Sequence, residues 1–340
     1  MQKEVLILAI ESSCDDTSAA VICNDKILAN ITASQKIHEQ YGGVVPELAS
    51  RDHQKNIIPV VDAAIKKAGV KLSQINAIAF TRGPGLMGSL LVGTSVAKSL
   101  SLSLDIPLIE VNHMQGHILA HFIRENEFTQ VPSFPFLCLT ISGGHTQLVK
   151  VNDHLDFELL GETTDDAVGE AFDKAAKILG LGYPGGPQID KLAQAGDYSK
   201  YNFAESKVEE LNFSFSGIKT SFLYFVQNNL QKNPRFVEEN LADICASYQT
   251  HLVNILMKKL QKAADQTGIK DIAIAGGVSA NSEVRKQVER IGARNNWNTF
   301  IPKFEYCTDN AGMIAISAYY KYLKSDFCDL TIAPMVRMGV

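Results

Sequence analysis

Apolar and polar positions fall along this chain in two blocks that share one grammar. In the first, residues 5–33, an apolar run from Val5 to Ile10 is interrupted by Glu11 and leads into a turn of small, polar residues. A second run (19–23), a turn at Asn24-Asp25 and a third run follow. Residues 134–162 repeat that order: a run ending at Ser142-Gly143-Gly144, a run over 147–151, a turn at Asn152-Asp153 and a third run. Such runs read as strands, and Asn-Asp pairs suit hairpin corners because both residues tolerate left-handed backbone. Each block is followed by helix-like segments and then by an apolar strand ending in glycines, INAIAFTRGPG (75–85) and KDIAIAGGVSAN (270–281). A helical pattern comes next, over 88–104 in the first half and 282–295 in the second. Strands alternating with helices predict α/β layers with a mixed sheet. Two copies predict two similar lobes with a cleft between them; the competing arrangement is one doubly wound sheet with coincidental hairpins.

Composition narrows this further. A length of 340 residues suggests about two domains. A hydrophobic share of 46% with 20% charged residues excludes global disorder. The net charge of −5 argues against a stand-alone nucleic-acid binder, but not against a nucleic acid held by a local patch or presented by a partner. None of the six cysteines forms a C-x-x-C, so neither a zinc ribbon nor a redox motif is indicated. The run at 5–10 is too short for a signal-peptide core or a membrane span, and the expectation is a soluble cytoplasmic protein with reduced thiols. The densest Gly/Pro stretch, 180–187, must be a loop.

Candidate chemistry sits in three kinds of feature. His113 and His117, in VNHMQGHILAH, lie four residues apart in a segment that can be helical, which puts both imidazoles on one face. His121 lies about 80° around that helix and is a poor third ligand. The zinc-protease motif needs Glu after its first His, where Met114 stands here. The spacing alone leaves a metal site and ordinary surface or core histidines both open. Glycine turns at 140–146, 183–187 and 275–281 would let backbone N–H groups face a phosphate, though none matches a dinucleotide fingerprint or a P-loop. Together they point to a nucleotide between the lobes. Of the acidic residues, Asp15-Asp16 lie in the first hairpin turn, and Thr164 with Asp165-Asp166 reads as the start of a helix through 177. Asp173 is too deep in that helix to cap it and is free for a ligand. Asp309 precedes an apolar helix, where a cap is the simpler role.

The combination of ESSCDDTSAAV, RGPGLMGSLLVG, NHMQGH, SGGHTQL, GEAFDKAAKILGLGYPGGP, NFSFSGIKT, AGGVSAN and TDNAGMIA resembles one family, the bacterial tRNA N6-adenosine threonylcarbamoyltransferases, once described as O-sialoglycoprotein endopeptidases. The motifs run from Glu11 to Met313. The resemblance implies the actin-like, sugar-kinase-like (ASKHA) two-lobed α/β fold with a duplicated mixed-sheet domain. The lobes would be 1–107, joined by a tail from about 325 to 340, and 108–324, the latter with the metal and nucleotide site.

The resemblance also implies a reaction. Threonylcarbamoyl-AMP donates its threonylcarbamoyl group to N6 of the tRNA adenosine 3′ of the anticodon, and AMP leaves. His113, His117 and Asp309 would hold one divalent metal, Fe(2+) or alternatively Zn(2+), since two histidines and a carboxylate form a facial set with open positions. Thr140, Ile141, Ser142, Gly143 and Gly144 would lie against the substrate, with Asp173, Gly186, Asp190 and Asn281 as further contacts. Asp15 would take the N6 proton or orient the nucleophile. Archaeal and eukaryotic relatives carry Tyr where Thr140 stands, so a tyrosine ligand is not expected. The implied partners are tRNA, a paralogous ASKHA subunit and a small P-loop ATPase, with no membrane. The alternatives are an ASKHA-type small-molecule kinase, which would make ADP without tRNA, and a regulatory nucleotide-binding scaffold, which would bind without turnover. A metallopeptidase ranks last.

Overall fold

In the computed structural model, which describes residues 4–205 and 208–340, the first block becomes strands β1 (Leu6–Glu11), β2 (Asp16–Cys23) and β3 (Lys26–Ser34), paired antiparallel in sequence. Helix α1 (Pro46–Ala68), strand β4 (Ala77–Gly83), helix α2 (Met87–Leu104), strand β5 (Leu108–Asn112) and helix α3 (His113–Leu119) continue the chain. β4 and β5 add in parallel, giving the order β3-β2-β1-β4-β5.

The second block becomes β6 (Phe136–Ile141), β7 (Thr146–Asp153) and β8 (Asp156–Glu162). Helices α4 (Val168–Ile178), α5 (Gly185–Ala193), α6 (Ser216–Lys232) and α7 (Phe236–Thr267) follow, then β9 (Asp271–Ala275), α8 (Ser282–Asn295), β10 (Asn298–Phe300) and α9 (Ala311–Leu323). This sheet runs β10-β9-β6-β7-β8, which from its other end is the order of the first. β6 is antiparallel to β7 and parallel to β9, as β1 is to β2 and β4. The duplication expected from the sequence is therefore present strand for strand.

The central strands are buried on both faces. Leu8, Ile10, Val21, Ile78 and Phe80 form one core with Ile57, Val61 and Ala64 of α1 and Ala97 of α2. Ile7 and Ala9 are equally buried, and alternation sends them to the opposite side. α9, with α3 against it, packs on β1 and β2. In the second sheet's unit, Phe172, Phe213, Phe222 and Tyr248 anchor a separate core. Among the described residues one helix, α2, has the length and mean hydropathy (1.2) to cross a membrane, and a third of it is buried.

Three expectations need correction. The compact units are Met1–Pro132 with Asp153–Phe157 and Pro302–Val340, and Ser133–Asn152 with Glu158–Ile301, so the chain does not divide at 107/108. The reason is packing: α3 continues directly from β5 and lies on α9, whose other partners are strands of the first sheet. All three expected metal ligands therefore fall in the first unit, together with residues 325–340. Second, the later hairpin turns at His154-Leu155 rather than Asn152-Asp153; both remain in β7, and Asp153 Oδ1 accepts from His154 N at 2.8 Å. The first hairpin does turn at Asn24, with φ of 54°. Third, Thr164 does not cap α4, which starts only at Val168. Asp165 instead accepts from Phe215 N and Ser216 N at the start of α6 and from the hydroxyls of Ser214 and Ser216.

Gly276 marks a tight turn of the second unit, after β9. Its φ is +86°, and a Cβ there would sit 2.4 Å from the Ile141 carbonyl oxygen. Gly276→Ala should cost at least about 2 kcal/mol of unfolding free energy, from left-handed strain and a backbone collision together. Urea denaturation of the full chain checks this; a loss under about 0.5 kcal/mol, within the range of neutral surface changes, would contradict it.

Candidate metal centre

The centre is assembled at the end of β5. Asn112 closes that strand and caps α3, its Oδ1 accepting from Met114 N (2.8 Å) and Gln115 N (3.2 Å). The helix then places His113 and His117 one turn apart, with ring centroids 4.8 Å from each other and planes nearly perpendicular. Gly116, between them, lets α3 settle on α9: a Cβ there would meet Ile314 Cδ1 at 3.1 Å and Met313 Cγ at 3.3 Å. That close approach brings Asp309, two residues before α9, to both imidazoles. Its Oδ1 lies 3.4 Å from His113 Nε2 and 3.3 Å from His117 Nε2. Asn310, not Asp309, caps α9, accepting from Met313 N. The capping role considered for Asp309 thus belongs to its neighbour.

Glu11 completes the surroundings. It is fully buried, and its Oε2 sits 3.0 Å from His113 Nδ1 and accepts from Thr81 Oγ1 at 2.6 Å, while Oε1 accepts from Ser13 N. Ser13 Oγ is 3.1 Å from the same ring nitrogen. With Nδ1 turned to a carboxylate, Nε2 faces Asp309, the arrangement by which a carboxylate orients a ligating imidazole. Glu11, Ser13, Thr81 and Asn112 were not singled out from the sequence. The readable signal was a glutamate closing an otherwise apolar, buried strand.

These residues fit a cation. His117 is buried, and neither of its ring nitrogens makes a hydrogen bond despite the nearness of Asp309. An orphaned imidazole of this kind costs free energy unless something accepts its lone pair. Burial depresses the His117 pKa and the neighbouring His113 charge adds to this, which keeps it neutral as ligation requires. Burial would also raise Asp309 and depress His113, but their mutual attraction outweighs it, with Glu11 adding to the effect on His113 and His117 to that on Asp309. Asp309 is held well below the usual carboxylate range, and His113 well above the usual imidazole. Among the described residues, His113, His117 and Asp309 are the His, Cys, Asp or Glu groups whose donor atoms gather this closely, all within 4.8 Å. His121 lies outside that group, in the short helix Ala120–Phe122.

Asp15 stands in the turn between β1 and β2, and Asp16 opens β2. His53 of α1 holds that turn: its Nε2 donates to the Cys14 carbonyl (2.9 Å) and its Nδ1 accepts from Thr17 Oγ1 (2.8 Å), while Ser89 Oγ donates to the same carbonyl at 3.0 Å. Asp15 is half-buried. Asp16 is pushed up to about 7 by burial, and by the charges of Asp309, Asp15 and Glu11, against a hydrogen bond from Ser34. Because its folded pKa exceeds the unfolded one, the native state gains below about pH 4 and loses this as pH rises toward 7. At pH 8 the ionised group costs up to about 4 kcal/mol. In metal-free protein, Asp16→Asn should therefore raise the urea midpoint at pH 8 and not at pH 4. Equal midpoints at pH 8 would contradict this.

The expected substrate residues lie in the second unit, near the carboxyl ends of the parallel strands β6 and β9. Thr140 and Ile141 are fully buried, backbone included: Thr140 is paired with both β7 and β9, and Ile141 lies within the core. The Ser142–Gly144 turn is exposed at its glycines and packs on Gly169 at the start of α4, where a Cβ would strike the Ser142 carbonyl at 2.5 Å. Asp173 is not free as expected: its Oδ1 accepts from Gly185 N (2.7 Å) at the start of α5. Asp190 on α5 accepts from Ser282 N and Oγ, and Asn281 caps α8 and donates to Gln249 Oε1 at 2.8 Å. The three polar side chains thus fasten helix N-termini, leaving Gly186 half-buried beside them with room around its Cα.

A model of the family described as TsaD, tRNA N6-adenosine threonylcarbamoyltransferase, matches residues 26–316. A protein of that name from Christiangramia forsetii is 63% identical over 335 residues, 98% of each chain, and one from Porphyromonas gingivalis is 57% identical over 341 residues, 100% of each. Among solved structures, full-length HypF in its phosphate- and nucleotide-bound form superposes with a TM-score of 0.63 at 13% identity, covering 96% of this chain and 48% of that one. Component A of (R)-2-hydroxyglutaryl-CoA dehydratase from Acidaminococcus fermentans gives 0.53 at 17% identity, covering 94% and 99%. At such identities the structural likeness concerns the fold alone, the actin-like, sugar-kinase-like class.

Proposed function

We propose, for a chain that belongs to the tRNA N6-adenosine threonylcarbamoyltransferase family, the reaction that membership names: the threonylcarbamoyl group passes from threonylcarbamoyl-AMP to N6 of the adenosine 3′ of the anticodon in tRNA. The N6–carbon bond forms, the bond from that carbon to the adenylate oxygen breaks, AMP departs with the electron pair, and N6 gives up a proton. The observation that carries the chemistry is the buried His113, His117 and Asp309 group with the unpartnered His117 ring. These three residues would hold one divalent metal, Fe(2+) by the facial two-histidine, one-carboxylate set or otherwise Zn(2+). A metal so held supplies Lewis acidity to the carbamoyl carbonyl.

The chain's own groups do the rest. Glu11 orients His113 and balances charge in a buried site. Asp15 is proposed to take the N6 proton or to orient the nucleophile, and Asp16, with its raised pKa, is the competing carboxylate. The Ser142-Gly143-Gly144 turn and Gly186 would receive the adenylate, with Thr140 and Ile141 carrying that turn at the end of β6, while Asp173, Asp190 and Asn281 hold the helix starts that frame it. The net charge of −5 sets this chain against its polyanionic substrate, which supports turnover with partners. The family resemblance suggests a paralogous ASKHA subunit and a small P-loop ATPase, acting in the cytoplasm. The face of α2 that exposes Met87, Leu91 and Leu102 is the proposed docking surface for the paralogue.

The test uses purified chain, threonylcarbamoyl-AMP, tRNA and the two partners, followed by nucleoside analysis of digested tRNA. The unsubstituted chain should modify tRNA well only with its partners. Asp309→Asn and His113→Ala should lose both bound metal and transfer while remaining folded, and His121→Ala should keep its metal. An active, normally metallated Asp309→Asn protein would refute the assignment.

A further inference from the structure

We propose that residues 332–339 are a positioning strap for α3, and that Asn112 is the residue that receives it; the inference rests on the metal-site reading above. After Cys328, whose N donates to the Leu108 carbonyl (2.9 Å), the chain runs past the ends of β4 and β5, held by hydrogen bonds to its own backbone groups. Lys98 Nζ donates to the Ile332 carbonyl and Arg82 Nε to that of Ala333 (3.1 Å). Met335 N donates to the Arg82 carbonyl (2.8 Å), and Gly85 N to that of Val336 (3.2 Å). Gly83 has to be glycine beneath this crossing, because a Cβ there would lie 1.9 Å from the Met335 carbonyl oxygen. Ile332 packs on the first core, but Met335 and Val336 expose their side chains, so beyond Ile332 burial of apolar surface is not what fixes the segment.

Its contacts converge on His113 from two sides. Asn112 Nδ2 donates to the Gly339 carbonyl at 2.6 Å, while the other end of that amide caps α3 immediately before His113. On the second side, Gly85 abuts Ser13, with a would-be Cβ 2.5 Å from the Ser13 carbonyl oxygen, and Leu86 N donates to that carbonyl at 2.8 Å. Ser13 Oγ is in turn 3.1 Å from His113 Nδ1. A short helix cannot hold its own axis, so its capping residue sets where both imidazoles point. Tying that residue's amide to a second segment removes its rotational freedom.

The experiment compares the full chain with a protein lacking residues 338–340, with Asn112→Ser, and with the two changes combined. Serine keeps an acceptor for the helix N–H groups but loses the amide donor to Gly339. The readouts are Co(2+) affinity, followed by its visible absorption, and hydrogen exchange of the Met114 and Gln115 amides in metal-free protein. Each single change should weaken Co(2+) binding roughly 10-fold, the low end for losing a ligand-orienting partner. The pair should weaken it no further, because both cut one link. The two amides should exchange faster in each variant. Co(2+) affinity within twofold of the unsubstituted chain, with unchanged exchange, would overturn the strap. If the unsubstituted chain itself fails to bind Co(2+), the metal reading falls and the exchange arm alone decides the strap.

Discussion

The structure turns on a carboxylate with no access to water. Glu11 ends the central strand of the first sheet, fully buried, and a buried carboxylate must find donors or become neutral. Ser13 N, Thr81 Oγ1 and His113 Nδ1 supply them from the following turn, from β4 and from α3. One charge thereby fixes three separate elements around a point. The imidazole so held can present only its far nitrogen to Asp309, and the placement of the three side chains follows. The α3–α9 contact over Gly116 is the second requirement, since it brings a residue almost 200 positions away to that nitrogen.

Much of this was readable before any coordinates. Apolar runs separated by short polar turns, with the glycine-ended runs that follow them, predicted both sheets, and the two helices after them appear at 87–104 and 282–295. The duplication was legible because each half repeats the same order of short runs and turns. The four-residue spacing of His113 and His117 survives as one helical turn. Family resemblance, rather than spacing, supplied Asp309, whose local context reads as a helix cap.

What the sequence hid was mostly the work done by polar side chains at helix starts. Asp165, Asp173, Asp190 and Asn281 all lie in motif-like surroundings, yet each hydrogen-bonds the backbone at the start of a helix, and only Asn281 caps the helix it immediately precedes. Sequence distance conceals such pairings; Asp165 and Ser216 are 51 residues apart. The unit boundary was hidden for a related reason, because α9 returns to the first sheet after the whole second unit has intervened. Hairpin corners depend on register, and a shift of two residues moved the second turn from Asn152-Asp153 to His154-Leu155.

The central claim is that Glu11 organises His113, His117 and Asp309 into a site for one divalent metal. Anomalous diffraction from crystals of the full chain loaded with Fe(2+) or Zn(2+) tests it most directly. The account predicts a single anomalous peak about 2.0–2.2 Å from His113 Nε2, His117 Nε2 and an Asp309 oxygen, with His113 Nδ1 still turned to Glu11. A stoichiometrically bound metal at any other place, or one held with His113 rotated away from Glu11, would contradict it.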